Sequence, residues 1–153
     1  KINSWIDSWI FYISYKTTDG VVSRPEPNWE AFTPKGSLIN QNTYDGKTLL
    51  LDFWNTTCVI CIKKFPILDS LHNSFRNDTN IVILSVNIPH ELDTAGMALH
   101  IVNEKKYAFP LVIGTTKLNE SFGFNSYPMV YIIRNDIIIY FGDIEKSAQI
   151  LKK

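Results

Sequence analysis

Two cysteines, Cys58 and Cys61, lie three positions apart where a predicted buried strand gives way to a predicted helix. The strand is the nearly continuous apolar run TLLLDFW at 48–54, a pattern typical of a strand covered on both faces. From about 58 to 75, apolar residues recur at three- or four-residue intervals, which predicts one face of a helix. Predictions of both fold and function depend on this junction.

The remainder of the chain continues the alternation of strands and helices. The predicted elements are a strand at 80–88, a helix at 92–106, a strand at 109–113, a short helix at 117–123, a hairpin around 134–136 and a C-terminal helix at 143–152. This order predicts an α/β sandwich, with a central mixed β-sheet flanked by helices.

The Pro-rich segment RPEPN at 24–28 predicts a division into an N-terminal extension, 1–24, and one domain, 25–153. Aromatic and β-branched residues are dense in the extension, which predicts a strand or hairpin there, with a short helix as the alternative. The chain begins with lysine rather than methionine, which leaves room for a signal peptide, a membrane anchor or a preceding domain ahead of it.

Charge and composition exclude several functions. Fifteen basic and fifteen acidic residues cancel, so nucleic-acid binding lacks its usual electrostatic driving force. No apolar run reaches the length of about eighteen residues that a membrane span needs. A zinc site needs about four ligands, but there is no second cysteine pair, and His72, His90 and His100 are scattered. The sequence therefore implies no metal and no cofactor, and it assigns no oligomeric state.

The position of the cysteines predicts their chemistry. Unpaired amide hydrogens and the dipole at a helix N-terminus stabilise an anion, so Cys58 is expected to have a lowered pKa and to react as a thiolate. Cys61 lies one turn deeper and can close a short disulfide with it. Such a dithiol exchanges electrons with another disulfide through a mixed-disulfide intermediate.

Four motifs in order resemble the thioredoxin superfamily, specifically its TlpA/ResA-like extracytoplasmic thiol-disulfide oxidoreductases, over residues 25–153. They are the strand ending in Phe-Trp, the sequence WNTTCVIC, Pro66 in the following helix, and YP at 127–128, the candidate cis peptide. The resemblance implies a thioredoxin-like three-layer sandwich. The interval before the cis-proline segment, about 92–113, has room for an extra helix-strand insertion, as in TlpA-like relatives.

Asp52 interrupts the apolar strand six residues before Cys58. Burial without a cationic partner would raise the pKa of its carboxyl and make it a proton acceptor near neutral pH. By resemblance it matches the buried aspartate that deprotonates the resolving cysteine. The alternative is that Asp52 caps a backbone group or lies at a strand end.

The resemblance also implies the remaining roles. Cys58 attacks a target disulfide and Cys61 resolves the mixed disulfide, while Tyr127 and Pro128 shape the groove for the substrate and Trp54 supports the motif at this substrate-binding side. The partners are protein disulfide substrates and an upstream redox partner, and the location is extracytoplasmic, in a periplasm or cell envelope where disulfides persist.

This chain departs from the family pattern at four positions. Thr57 stands where a tryptophan is usual, Ile60 where a proline is common, Lys64 where ResA-like reductases often have a glutamate, and Ser126 where a glycine is usual. Because residues between the cysteines tune the redox couple, the reduction potential does not carry over from the family.

Three alternatives remain open from the sequence. A thiol peroxidase of the peroxiredoxin-like type would carry P-x-x-x-T-x-x-C, but Leu51 and Asn55 stand at the proline and threonine positions. A fixed structural disulfide would stabilise little, because its loop is so short. A non-enzymatic interaction module would use aromatic residues of the extension as its surface, namely Trp5, Trp9, Phe11, Tyr12 and Tyr15.

Overall fold

A computed structural model describes residues 20–153 of the 153-residue chain. The strands are β1 (Val21–Pro25), β2 (Glu30–Phe32), β3 (Leu38–Asn40), β4 (Thr48–Trp54), β5 (Ile81–Asn87), β6 (Leu111–Ile113), β7 (Met129–Arg134) and β8 (Ile137–Gly142). The helices are α1 (Val59–Phe75), α2 (Met97–Glu104), α3 (Lys117–Phe122) and α4 (Ile144–Leu151), with a 3₁₀ turn at Gln41–Tyr44.

The strands form one mixed sheet in the order β1-β8-β7-β4-β5-β6-β2-β3. Strand β4 occupies its middle, parallel to β5 and antiparallel to β7. Strands β5 and β6 are also parallel, and the β7–β8 pair is an antiparallel hairpin. The predicted mixed sheet flanked by helices is therefore confirmed.

Side chains of β4 alternate between two hydrophobic cores, one on each face of the sheet. Leu49, Leu51 and Phe53 join the core that contains residues of α3, whereas Leu50 and Trp54 join the core beneath α1, α2 and α4. Since successive strand residues point to opposite faces, a strand buried on both sides reads as a continuous apolar run. This double burial gives the three layers of the sandwich.

Element boundaries follow local chemistry rather than hydrophobic periodicity alone. Helix α2 begins at Met97 rather than at 92, because Gly96 precedes it in a left-handed conformation with φ of 80°. The β7–β8 turn places Asn135 and Asp136 at φ of 52° and 61°, the positive values that a two-residue hairpin turn requires. Helix α1 continues past Pro66 as one element.

Strand β1 lies across the predicted division at residue 25 and pairs with β8, with Val21 opposite Tyr140 and Pro25 opposite Ile137. The described end of the predicted extension is thus part of the sheet. The strand or hairpin predicted earlier in the extension, and its aromatic surface, lie outside the described residues. Along 20–153, none of the helices has the length and apolar character needed to cross a bilayer.

Replacing Phe53 with alanine tests the core on the α3 face. Phe53 is fully buried, and its ring lies 5.2 Å from that of Phe122 and 4.7 Å from that of Phe124. We expect Phe53→Ala to lower the free energy of unfolding by about 3–5 kcal/mol through loss of burial and the cavity left behind. Denaturant titration measures this loss.

Phe32→Ala is the matched control, because Phe32 is 40% exposed on β2. It should change stability by about 1 kcal/mol or less. Equal losses in the two variants would contradict the assignment of Phe53 to the core.

Candidate active site

Cys58 and Cys61 form a disulfide at the start of α1, with their Cα atoms 5.3 Å apart. Cys58 is the N-cap residue, and the backbone N–H of Cys61 donates a hydrogen bond to its sulfur at 3.2 Å. Cys58 is half-buried, whereas Cys61 is only 2% exposed. An incoming group can therefore approach the sulfur of Cys58, while that of Cys61 is covered.

The two residues between the cysteines form an exposed apolar surface. Val59 is 62% exposed and Ile60 is 60% exposed. Exposed branched side chains on the first turn of a helix are not needed for the core. They are free to contact another molecule that approaches Cys58.

Asp52 is buried in the sheet on the face that α1 covers. It points to the same face of β4 as Leu50 and Trp54, both of which belong to the core beneath α1. The side chain is 5% exposed, and within the described residues its Oδ1 atom has no hydrogen-bond partner. Asp52 lies inside β4 rather than at its end, so the strand-end alternative is wrong.

Burial raises the pKa of Asp52 to about 7. The positive charge of Lys64 acts in the opposite direction, and the negative charge of Glu145 adds to the rise. A carboxyl group with such a pKa exchanges a proton readily at neutral pH, which fits it for general acid–base work.

Lys64 and Glu145, whose charges both act on this carboxyl group, form an ion pair with each other. Lys64 lies on α1 one turn after Cys61, and its Nζ atom is 3.0 Å from a carboxylate oxygen of Glu145 at the start of α4. The pair joins two helices that are 81 residues apart in the chain. The sequence singled out Lys64 but gave no signal for Glu145, because only the fold brings it close.

Trp54 is fully buried, so its predicted place among the substrate-binding residues is wrong. Its indole Nε1 donates to Ser85 Oγ at 2.8 Å, and its ring meets that of Phe65 edge-on with centroids 4.9 Å apart. A side chain held in this way cannot touch a substrate. Trp54 instead fixes the end of β4 from which the active-site turn departs.

Tyr127 and Pro128 directly precede β7, whose Met129 pairs with Phe53 near the end of β4, and the peptide bond between them is cis. Asn119 Nδ2 donates to the Tyr127 hydroxyl at 2.9 Å, and both residues are half-buried. Pro128 and Lys64 line a cleft of about 440 Å³. The cleft therefore brings the proline loop and α1 to the same surface, as a substrate groove would require.

Among residues 20–153, no group of three or more histidine, cysteine, aspartate or glutamate side chains is placed to hold a metal ion. The reactive groups at this site are two sulfur atoms and one buried carboxyl group.

Comparisons with known proteins identify the family of the chain and relatives of similar sequence. The sequence model of the AhpC/TSA family matches residues 22–141. The thioredoxin-like protein YneN of Bacillus subtilis is 22% identical over 127 residues, which cover 82% of this chain and 74% of that protein. The thiol-disulfide oxidoreductase ResA of Bacillus anthracis is 25% identical over 116 residues. Those residues cover 75% of this chain and 65% of ResA, so the chain spans just under two thirds of that relative.

Solved structures share the fold at low sequence identity. The thioredoxin domain of a thiol-disulfide oxidoreductase from Bacteroides vulgatus superposes with a TM-score of 0.72 at 20% identity, covering 84% of this chain and 96% of that one. StoA from Bacillus subtilis superposes with a TM-score of 0.67 at 18% identity, covering 81% and 96%. These matches confirm the thioredoxin-like fold.

Asp52 makes stability depend on pH. In the unfolded chain its carboxyl ionises near the ordinary pKa of 3.8, whereas in the folded protein it ionises only near 7. Asp52 therefore favours the folded state most at low pH, and this contribution disappears as pH rises from 4 towards 7. Relative to Asp52→Asn, the oxidised wild type should lose about 4 kcal/mol of unfolding free energy across that range.

Denaturant titration at several pH values, with the disulfide intact, measures this difference. Subtracting the Asn variant removes the contribution of other titrating groups, such as Glu26, whose pKa is also raised by burial. Parallel stability curves for the two proteins would contradict a buried Asp52 with a raised pKa.

Proposed function

Since the chain belongs to the AhpC/TSA family, we propose that it is a thiol-disulfide oxidoreductase that exchanges electrons with protein disulfides, acting as a reductase. The observation that carries this proposal is the arrangement of one accessible and one covered sulfur at the start of α1. The covered sulfur belongs to the helix that packs over the buried carboxyl of Asp52.

Cys58 is the attacking group. In the reduced protein its thiolate attacks one sulfur of the substrate disulfide, the substrate S–S bond breaks, and the departing substrate thiolate takes up a proton. The product is a mixed disulfide between Cys58 and the remaining substrate sulfur. The amide of Cys61, which donates to the Cys58 sulfur, supports the thiolate before attack.

Cys61 completes the exchange. Its thiol gives a proton to the Asp52 carboxylate, directly or through water, and the resulting thiolate attacks the Cys58 sulfur. The mixed disulfide breaks, the second substrate sulfur leaves as a thiolate and takes up a proton, and two electrons have passed to the substrate. The protein is left with the Cys58–Cys61 disulfide, which is the state of the structure, and an upstream redox partner must reduce it again.

Recognition of the substrate rests on surface shape. The chain has no net charge, so a bulk electrostatic field does not attract partners. Val59 and Ile60 offer an apolar contact beside Cys58, and the cleft at Pro128 accepts an extended segment. This combination suits a polypeptide substrate better than a small thiol.

The location that fits this activity is an extracytoplasmic one, a periplasm or cell envelope. Disulfides persist outside the cytosol, so a protein that exchanges them has substrates there. A neighbour of similar fold is described as an exposed lipoprotein thioredoxin of Streptococcus pneumoniae, with a TM-score of 0.68 at 23% identity. An anchor preceding residue 1 would hold the domain at a membrane surface.

A thiol peroxidase is the second candidate, because the matched family model is named for AhpC and TSA proteins. In that reaction the Cys58 thiolate would attack a peroxide oxygen, the O–O bond would break, and water or an alcohol would leave. The sulfenic acid formed on Cys58 would then condense with the Cys61 thiol to a disulfide and release water. Against it, Leu51 and Asn55 occupy the positions where the peroxidase signature has proline and threonine.

Cys61→Ser separates the two reactions. With a disulfide-containing protein as substrate, we expect wild type to turn over and Cys61→Ser to accumulate a mixed disulfide through Cys58, approaching one per chain, because the resolving thiol is absent. Non-reducing electrophoresis and intact mass measure the adduct. Cys58→Ser is the matched control and should form no adduct.

Hydrogen peroxide consumption is measured on the same preparations. Peroxide turnover without reduction of the protein disulfide would replace the oxidoreductase with the peroxidase. Absence of both activities, and of the adduct, would leave only a binding module.

The pH dependence of mixed-disulfide resolution tests Asp52 as the proton acceptor. The carboxylate form increases through the pKa of about 7, so the rate in wild type should rise across that pH. Asp52→Asn should lose the rise and resolve about 100-fold more slowly at pH 8, since general base catalysis contributes about 10²–10⁴-fold. Stopped-flow release of the second substrate thiol measures the rate.

The ion pair supplies internal controls for this profile. Lys64→Met removes a positive charge and should move the inflection to higher pH, whereas Glu145→Gln should move it to lower pH. Lys63→Met, which removes a charge from an exposed neighbouring position on α1, should leave it in place. An inflection that none of these variants moves does not belong to Asp52.

A further inference from the structure

The turn at 55–58, which leads into α1, is hydrogen-bonded to the loop that follows β5, the strand parallel to β4. Thr56 Oγ1 donates a hydrogen bond to Asp93 Oδ1, and both residues are half-buried. Asp93 lies between β5 and α2, 37 residues further along the chain. Through this contact, the Asp93 carboxylate helps to hold the turn at 55–58 in place.

The other bonds of the turn fix its shape but not its position. Asn55 Oδ1 accepts from the backbone N–H of Thr57 at 3.2 Å and from its hydroxyl at 2.9 Å. The N–H of Cys58 donates to the carbonyl oxygen of Asn55 at 3.1 Å. These bonds all lie inside the segment 55–58, whereas the Thr56 hydroxyl reaches outside it.

Asp93 is itself held firmly. Its Oδ2 atom accepts from the backbone N–H of His90 at 2.9 Å, and its own N–H donates to the His90 carbonyl oxygen at 2.9 Å. The loop begins where Ile88 N–H donates to the Trp54 carbonyl oxygen at 2.8 Å, a bond that joins the ends of β5 and β4. Both carboxylate oxygens are engaged, so Asp93 provides a fixed point for Thr56.

We propose that Asp93 is a positioning residue for Cys58, holding through Thr56 the turn that keeps the Cys58 sulfur over the amides at the start of α1. Hydrogen bonds to a charged acceptor are stronger than those between neutral groups, so this bond can hold the turn in place. We call the Thr56–Asp93 hydrogen bond the clamp. An effect of Asp93 on disulfide exchange rests on the proposed function. Its effect on the reactivity of the Cys58 thiol does not, because that reactivity is measured without a substrate.

Direct electrostatics and positioning predict opposite effects for Asp93. A negative charge near a thiolate disfavours it, so removal of the carboxylate would make Cys58 more reactive if charge alone mattered. If Asp93 acts as a clamp, its removal frees the turn, the sulfur leaves the helix amides and Cys58 becomes less reactive. Thr56→Val separates these effects, because it abolishes the bond and leaves the Asp93 charge in place.

The experiment measures alkylation of Cys58 by iodoacetamide in the reduced protein as a function of pH. At pH 7 we expect Thr56→Val and Asp93→Ala each to be alkylated about 3- to 10-fold more slowly than wild type, the range that loss of one hydrogen bond allows. The double variant should be no slower than either single variant, because both remove the same contact.

Conservative variants make the result specific. Thr56→Ser keeps the hydroxyl and should react within about twofold of wild type. Asp93→Asn keeps an oxygen for the His90 N–H and can donate from its amide to the Thr56 oxygen, so it should also retain reactivity. Thr48→Val is the matched control, because it also removes a hydrogen-bonded hydroxyl. The Thr48 hydroxyl accepts a hydrogen bond from Arg134 Nε at the other end of β4. It should react as wild type does.

The thiol-disulfide equilibrium with glutathione is a second measurement, used where a variant loses stability. Loss of the Thr56–Asp93 bond in Thr56→Val should also shift the equilibrium with glutathione towards the disulfide by up to about tenfold, equal to about 30 mV for a two-electron couple. Wild-type reactivity in Thr56→Val, or faster alkylation in Asp93→Ala, would overturn the proposal. Absence of substrate turnover in wild type would contradict the oxidoreductase alone, because alkylation does not depend on any substrate.

Discussion

The hydrogen bond from the Cys61 amide to the Cys58 sulfur is the interaction on which the site depends. It exists because α1 begins directly after the turn that leaves β4, with Cys58 at the N-cap position. A helix start has amides without intrahelical partners, and here one of them meets a sulfur instead of water. The buried end of β4, with Trp54 bonded to Ser85, fixes where this helix start lies.

The buried carboxyl group of Asp52 is the second constraint, and it opposes stability. A charged group inside the core, with an oxygen that has no hydrogen-bond partner among residues 20–153, costs free energy that an apolar residue would not. Its position under α1, close enough to Lys64 and Glu145 for their charges to affect its pKa, gives it a proton-exchange range near neutral pH. A destabilising group in this position is consistent with retention for chemistry rather than for folding.

Much of the fold was predictable from the sequence because its long elements repeat a clear pattern. The apolar run of β4 and the helical spacing of α1 depend on many residues each, so single exceptions such as Pro66 do not hide them. Strands β2 and β3 were not predicted, since three residues are too few to show periodicity. The helix start at Met97 was misplaced because the turn before it is set by the left-handed Gly96.

The cysteines and Asp52 were identifiable because they interrupt or follow a strong pattern. Contacts made across the fold were not: the Lys64–Glu145 pair and the Thr56–Asp93 bond join residues 81 and 37 positions apart. Trp54 was assigned to the substrate side because its sequence position adjoins the motif, but strand alternation turns its ring into the core. Sequence proximity to a reactive group does not determine which way a side chain points.

The reduction potential of the Cys58–Cys61 pair distinguishes a redox-active disulfide from a structural one. Equilibration of the wild-type chain in graded redox buffers, with the dithiol fraction determined by intact mass after alkylation, measures it. A redox-active pair should show a single two-electron transition between about −270 and −120 mV, the range of disulfide-exchanging proteins. A disulfide that stays oxidised below about −300 mV would be structural, and would contradict a role of Cys58 and Cys61 in disulfide exchange.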